Sequence, residues 1–229
     1  METHVTIASR FCGPPRSGNG GYTCGLTAAG MEGPVEATLR RPPPLDRPLD
    51  LARGDTRVLH KDGFVVLEAR PASLALDVPT APSAERAEAM SERYAGFASH
   101  PFPTCFVCGP ERAAGDGLRI FAGGDADDGI VAAPWVPDES LAGPDGRVRP
   151  EFLWAALDCP GYFAIAAPGE TAVLGRMTAE VEPAVSPGAR CVVVAWAVGR
   201  SGRKLHAGTA LFDADGELRG RSAQTWIVV

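Results

Sequence analysis

Gly146-Arg147-Val148-Arg149-Pro150-Glu151-Phe152-Leu153-Trp154-Ala155-Ala156-Leu157-Asp158 is a turn that runs straight into an apolar, helix-like segment continuing to Ala167. One carboxylate, Asp158, stands near the middle of that segment, just before Pro160-Gly161. A charge in such surroundings is costly unless it is paired or chemically employed. Asp158 is therefore either a working acid or the residue at which the helix breaks and turns. Glu151, in the first turn of the run, reads first as a partner of the helix dipole. Strand-like stretches follow at 172–182, 190–198, 204–212 and 217–228, with Asp213-Ala214-Asp215-Gly216 as a hairpin signal between the last two. The stretch Cys191–Val198 is apolar throughout, which suits a central strand covered on both faces. The last two stretches mix polar and apolar positions and read as half exposed.

The first half of the chain repeats this order. Ser17-Gly18-Asn19-Gly20-Gly21 precedes a shorter helix-like run, 22–31, and strand candidates at 34–40, 48–60 and 64–76. The best local match sets Pro44-Leu45-Asp46-Arg47-Pro48 against Pro183-Ala184-Val185-Ser186-Pro187, and the same register sets Lys61-Asp62-Gly63 against Arg200-Ser201-Gly202. Identity is slight, so the duplication rests on order and spacing. The expected division is a unit at 1–78, a connector at 79–116 and a second unit at 117–229, since a duplicated unit of ~110 residues is an ordinary domain size. In the connector, Ser83 is expected to cap a largely polar surface helix reaching about Phe97. Leu118–Ala122 and Ile130–Trp135 read as a hairpin around a Gly- and Asp-rich turn at 123–129. The Asn19-Gly20-Gly21 turn is either a simple tight turn or a helix start that receives an anion or carbonyl.

Composition narrows the function. Apolar residues make up 45% of the chain and charged residues 22%, with a net charge of −6 and no basic block, which argues against a nucleic-acid partner. No stretch approaches the ~20 apolar residues of a membrane span, and the acidic start Met1-Glu2-Thr3 is unlike a signal peptide. A cytoplasmic location with no membrane partner is the expectation, and the six cysteines then read as thiols or ligands. Cys105 and Cys108 form a C-x-x-C, half of a zinc site; no second pair has the spacing, and His100, Cys12 and Cys24 would contribute only through the fold. The expectation is a structural role for this pair rather than a metal. None of the four histidines belongs to a nucleophile motif.

Long antiparallel strands around one apolar helix describe an α+β layer. Their order resembles the hot-dog fold of the acyl-CoA thioesterase superfamily, most closely its PaaI-like branch. Those proteins carry a His-Gly-Gly-type turn, an apolar helix and an acid about nine positions after the turn's first residue. Arg149-Pro150 stands where His-Gly would, and the acid is kept at Asp158; Asn19-Gly20-Gly21 matches the turn, but Ala28 stands where its acid would be. Cys105-Phe106-Val107-Cys108-Gly109-Pro110, followed by Gly117-Leu118, is similar to a Cys-Phe-x-Cys-Gly lead-in of many such proteins. The Tyr-x-x-x-Asp-x-Asn-Pro-x-His pattern of hot-dog hydratases is absent.

The resemblance implies a double hot-dog, two long antiparallel sheets each wrapped on a central helix, forming a pseudo-dimer within one chain with room for a further homodimer. It implies hydrolysis of an acyl thioester, with coenzyme A as part of the substrate and no separate cofactor or catalytic metal. Asp158 would be catalytic. Asn19, Gly20 and Gly21, with Arg149, Pro150 and Glu151 at the matching turn, would bind substrate through helix-start N–H groups that hold the oxyanion. The alternatives are a non-catalytic acyl or small-ligand binding protein, and a zinc-stabilised interaction protein built on Cys105 and Cys108.

Overall fold

The computed structural model describes residues 2–124 and 129–229. Among them are four α-helices: α1 (Gly20–Ala28), α2 (Ala84–Ser91), α3 (Pro150–Ala156) and α4 (Cys159–Ile165). The run expected as one helix from Glu151 to Ala167 is thus two. Pro160 has no N–H to bond the preceding turn, and Asp158 takes φ −75° and ψ −83°, outside the helical well. Ser83 caps α2 as expected, its hydroxyl accepting the Arg86 N–H at 3.2 Å.

The described residues also hold ten strands: β1 (Glu2–Thr6), β2 (Val35–Leu39), β3 (Pro48–Ala52), β4 (Arg57–Lys61), β5 (Phe64–Pro71), β6 (Val131–Trp135), β7 (Ala172–Val181), β8 (Cys191–Ser201), β9 (Lys204–Phe212) and β10 (Leu218–Val228). They form one sheet in the order β1-β3-β4-β5-β2-β7-β10-β9-β8-β6. Two separate sheets were expected, and the seam between β2 and β7 joins them. Val35 pairs with Ala179 and Ala37 with Met177 on the buried face. On the other face Glu36 meets Arg70 at 2.7 Å and Arg176 at 3.5 Å.

The order reads alike from both ends: β2 matches β7, β3 matches β8, β4 matches β9 and β5 matches β10. This corrects the repeat. The stretch 48–60 is a hairpin, not a strand, so the turn at Asp62-Gly63 matches the β9–β10 turn rather than Ser201-Gly202. The lead-in turns do repeat at backbone level. Gly18 N–H donates to Pro43 at 2.8 Å and Val148 N–H to Val185 at 2.9 Å; Asn19 N–H donates to Phe11 at 2.8 Å and Arg149 N–H to Leu141 at 3.1 Å. Asn19 and Arg149 are therefore equivalent positions, and so are Ala28 and Asp158.

Helices α1, α3 and α4 lie on one face of the sheet and share its main core. The connector helix α2 lies on the other face, where Ala87 and Met90 pack with Val192, Val194 and Phe212. That second cover is why the start of β8 is apolar throughout; its last five residues are exposed. Leu118–Ala122 is not a strand. Leu118 and Ile120 donate to the carbonyls of Phe106 and Val107, stitching the connector to itself, and Gly123 alone bridges Ala132. Of the turn expected at 123–129, residues 125–128 lie outside the described residues.

Helices α1 and α3 touch through glycine. A Cβ on Gly25 would lie 2.6 Å from Glu151 Cα, and one on Gly21 would lie 2.5 Å from Asp158 Cβ and 2.6 Å from the Trp154 carbonyl. Helix propensity favours Gly25→Ala by about 1 kcal/mol, whereas overpacking against rigid backbone costs about 1–3 kcal/mol. The expected result is a net loss of stability of about 1–2 kcal/mol by urea unfolding; a gain would show that the helices are free to part.

Candidate functional site

The start of α1 and the break between α3 and α4 meet in a buried polar contact. Asn19 caps α1, its Oδ1 accepting the Tyr22 N–H at 2.9 Å, and its Nδ2 donates to Asp158 Oδ2 at 2.8 Å. Gly21 N–H donates to the same oxygen at 3.0 Å. Asp158 Oδ1 is buried with no partner among the described residues. The carboxylate is thus held by one oxygen, with the other left for chemistry. Burial pushes its pKa up to about 7, the nearby Cys105 adds to the rise, and the bonds from Gly21 and Asn19 oppose it.

The break that aims Asp158 is itself supported from below. On β10 the inward positions are Gly220, Ser222, Gln224 and Trp226, so the polar residues that read as half exposed lie partly on the covered face. Gln224 Nε2 donates to the Leu157 carbonyl freed by the helix break. Its Oε1 accepts the Trp226 indole N–H at 2.8 Å, and Ser222 and Thr209 share a 2.7 Å hydroxyl bond beneath it. Gly161 leaves the room Gln224 needs, since a Cβ there would collide with its Oε1.

Asn19, Gly20 and Asp158 line a cavity of about 360 Å³, within the usual size of small-molecule sites. Its wall is mostly apolar, with Phe102, Tyr162, Phe163, Leu174 and Trp226, while the exposed Arg40 and Arg41 stand at its rim. Gly20 has no hydrogen-bond partner for its N–H among the described residues. Cys105, Cys108 and Cys159 line the same cavity, Cys105 and Cys159 with sulfurs 3.6 Å apart. Hydrogen bonds from the Cys108 and Cys159 thiols hold the Cys105 thiol well below its ordinary range.

Solved structures resemble the chain over its whole length. A conserved protein from Alicyclobacillus acidocaldarius, described as having the hot dog fold, superposes with a TM-score of 0.61 at 15% identity, covering 100% of this chain and 93% of that one. The chain has the hot-dog fold. A TesB protein of Mycobacterium avium subspecies paratuberculosis gives a TM-score of 0.62 at 16% identity, covering 100% and 93%. A structure from Novosphingobium aromaticivorans, provisionally named a thioesterase, gives 0.63 at 13% identity, covering 100% and 95%. No protein-family model and no curated protein matches the sequence. Among the described residues, no helix is long and apolar enough to cross a membrane.

Within this hot-dog fold the expected site residues separate. Asn19, Gly20 and Asp158 share the cavity, and Gly21 abuts it through the carboxylate it holds. Its N–H is committed to Asp158 and so serves the acid. Arg149, Pro150 and Glu151 do not line the cavity. Arg149 Nε lies 3.4 Å from Glu151 Oε1 and its guanidinium stacks over Phe152, so Glu151 is a buried ion-pair partner. Pro150 lines a separate depression with Gly25, Ala28 and Trp154. That depression is the mirror of the cavity, with Ala28 in the place of the acid.

Two contributors escaped the sequence reading, and a third, His100, was weighed there only as a metal ligand. Cys159 directly follows Asp158, a juxtaposition visible in the sequence. Gln224 was legible as a polar residue in phase with Trp226, but its partner, a carbonyl orphaned by a helix break, was not. His100 enters only through the path of the connector. Gln224→Met leaves the Leu157 carbonyl and the Trp226 N–H without their partners, and is expected to cost about 2 kcal/mol or more in urea unfolding; a neutral outcome would show that the break stands without this support.

Proposed function

We propose that this protein is a double hot-dog hydrolase of acyl thioesters, a pseudo-dimer in one chain with a single working cleft. One observation carries the reading. Asp158 from the second unit and Asn19 and Gly20 from the first meet in one apolar cavity, with Asp158 Oδ1 unpartnered. The names of the Mycobacterium and Novosphingobium structures support the reaction class.

In this reading the acyl group lies among Tyr162, Phe163, Leu174 and Trp226. Its carbonyl oxygen faces the Gly20 N–H at the positive end of α1, where negative charge is stabilised as the tetrahedral intermediate forms. Asp158 Oδ1 takes a proton from the attacking water; collapse of the intermediate breaks the carbon–sulfur bond, and the departing thiolate receives that proton. Asn19 and Gly21 keep Oδ2 occupied, so the carboxylate cannot rotate away from the cavity. Arg40 and Arg41 at the rim suit the phosphates of coenzyme A, which we take as the carrier.

A non-catalytic acyl-binding protein is the second reading. The mirror depression, with Pro150 in its lining and Ala28 at the position equivalent to Asp158, supports it, since one half already lacks the acid. Turnover separates the two. With a panel of acyl-CoAs, Asp158→Asn is expected to lower kcat by about 100-fold or more while leaving KM within about threefold. Hydrolysis unchanged in that variant removes Asp158 from the mechanism, and a wild type that retains acyl-CoA without cleaving it establishes the binding reading. Replacing both Arg40 and Arg41 with Ala is expected to raise KM for acyl-CoA by about tenfold with kcat little changed; an unchanged KM places the carrier elsewhere.

A further inference from the structure

One side of the cavity carries chemistry that thioester hydrolysis does not use. Cys105, Cys108 and Cys159 are buried, and their sulfurs all lie within 4.8 Å of one another. The closest recorded pair, Cys105 and Cys159, is 3.6 Å apart. A tetrahedral zinc site with Zn–S bonds of about 2.3 Å sets its sulfurs about 3.8 Å apart, so these thiols need only small side-chain rotations to close on an ion. Two of them sit on a tight C-x-x-C loop. Gly109 N–H closes that loop on the Cys105 carbonyl at 2.9 Å. Gly109 is required there: a Cβ would stand 2.5 Å from the Pro103 carbonyl and 2.6 Å from that of Cys105. The third thiol is the first residue of α4, brought in by the fold.

We propose that Cys105, Cys108 and Cys159 bind one soft divalent cation, zinc in the first instance. No histidine or carboxylate among the described residues joins this group. His100 lines the same cavity, but its Nδ1 accepts the Phe102 N–H at 2.9 Å. The neutral ring then carries its proton on Nε2, which takes that nitrogen out of coordination. The fourth corner is left to water from the cavity. Asn19 Nδ2, 3.9 Å from the Cys105 sulfur and 3.8 Å from that of Cys159, is the outer partner that disperses thiolate charge.

Three thiolates outweigh the charge of a divalent cation, so the bound ion is a poor activator of water. Its role is to clamp. It ties the Cys105–Cys108 loop of the connector to the residue after Asp158, and so fixes the backbone that carries the acid. A C-x-x-C without a second pair reads as half a site; Cys159 supplies the ligand that spacing alone could not.

The test is metal content and cobalt spectroscopy on the full chain, purified reduced and without chelator. About one zinc per chain is expected, and protein stripped of metal and titrated with cobalt should show thiolate charge-transfer absorption with the visible bands of a tetrahedral ion. Cys159→Ser should weaken cobalt binding by at least about tenfold, whereas Cys191→Ser, at a buried cysteine outside the cluster, should leave it unchanged. If Cys159→Ser does not fold, the wild-type cobalt spectrum decides by itself. A folded, reduced wild type without thiolate bands overturns the proposal. So does undiminished binding in a folded Cys159→Ser protein, or recovery of a Cys105–Cys159 disulfide in place of metal. None of these readouts needs a thioester, so the proposal stands or falls apart from the hydrolase reading.

Discussion

The contact on which the site depends is the shared oxygen of Asp158. One atom, Oδ2, receives the Asn19 side chain and the Gly21 backbone N–H, and so joins the glycine turn of the first half to the acid of the second. A buried carboxylate is tolerated when its lone pairs are used, and here half of them are. The other oxygen, Oδ1, has no partner among the described residues, in a side chain that lines the cavity. Much of the surrounding architecture permits this arrangement: Gly21 and Gly25 let the helices approach, Asn19 is fixed by capping its own helix, and Gln224 holds the break in place.

The seam between β2 and β7 does the same work at larger scale. Because it turns two half-sheets into one, the relative placement of the helices is set by backbone pairing and not by side-chain packing alone. Apolar pairs on the covered face and a shared carboxylate, Glu36, on the other fix its register. Register in a sheet is an all-or-none matter, since a one-residue slip would send Val35 and Ala37 to the wrong face.

Much of this was legible. The strands at 172–182, 204–212 and 217–228 and the cap at Ser83 follow from period and turn chemistry, while the grouping of Asn19 and Asp158 in one site was what the family resemblance implied. Three things were not. The hairpin inside 48–60 carries only Gly54 and Asp55 as turn signals, so one strand was read for two and the repeat slipped. The stretch Cys191–Val198 was read as covered on both faces, yet only Cys191–Ala195 is buried, with the connector helix as its second cover, and Ala197 and Val198 are exposed. Arg149, Pro150 and Glu151 were grouped with the site because they match a turn by position; Arg149 instead lies against Glu151 and Phe152, and none of the three lines the cavity. Position within a motif says where a residue stands and leaves open what it faces.

The bonds that complete the site span 137 and 139 residues of chain. Contacts so distant in sequence are slow to form, because loop closure must precede any reward for making them. During synthesis the first half emerges with β2 as an open edge and α1 capped but uncovered on its Gly21–Gly25 face. Glu36 on that waiting strand is the kind of charge that discourages pairing with a wrong neighbour. The site is thus assembled late, and a chain halted before α3 would carry the glycine turn without the acid and an edge without its partner.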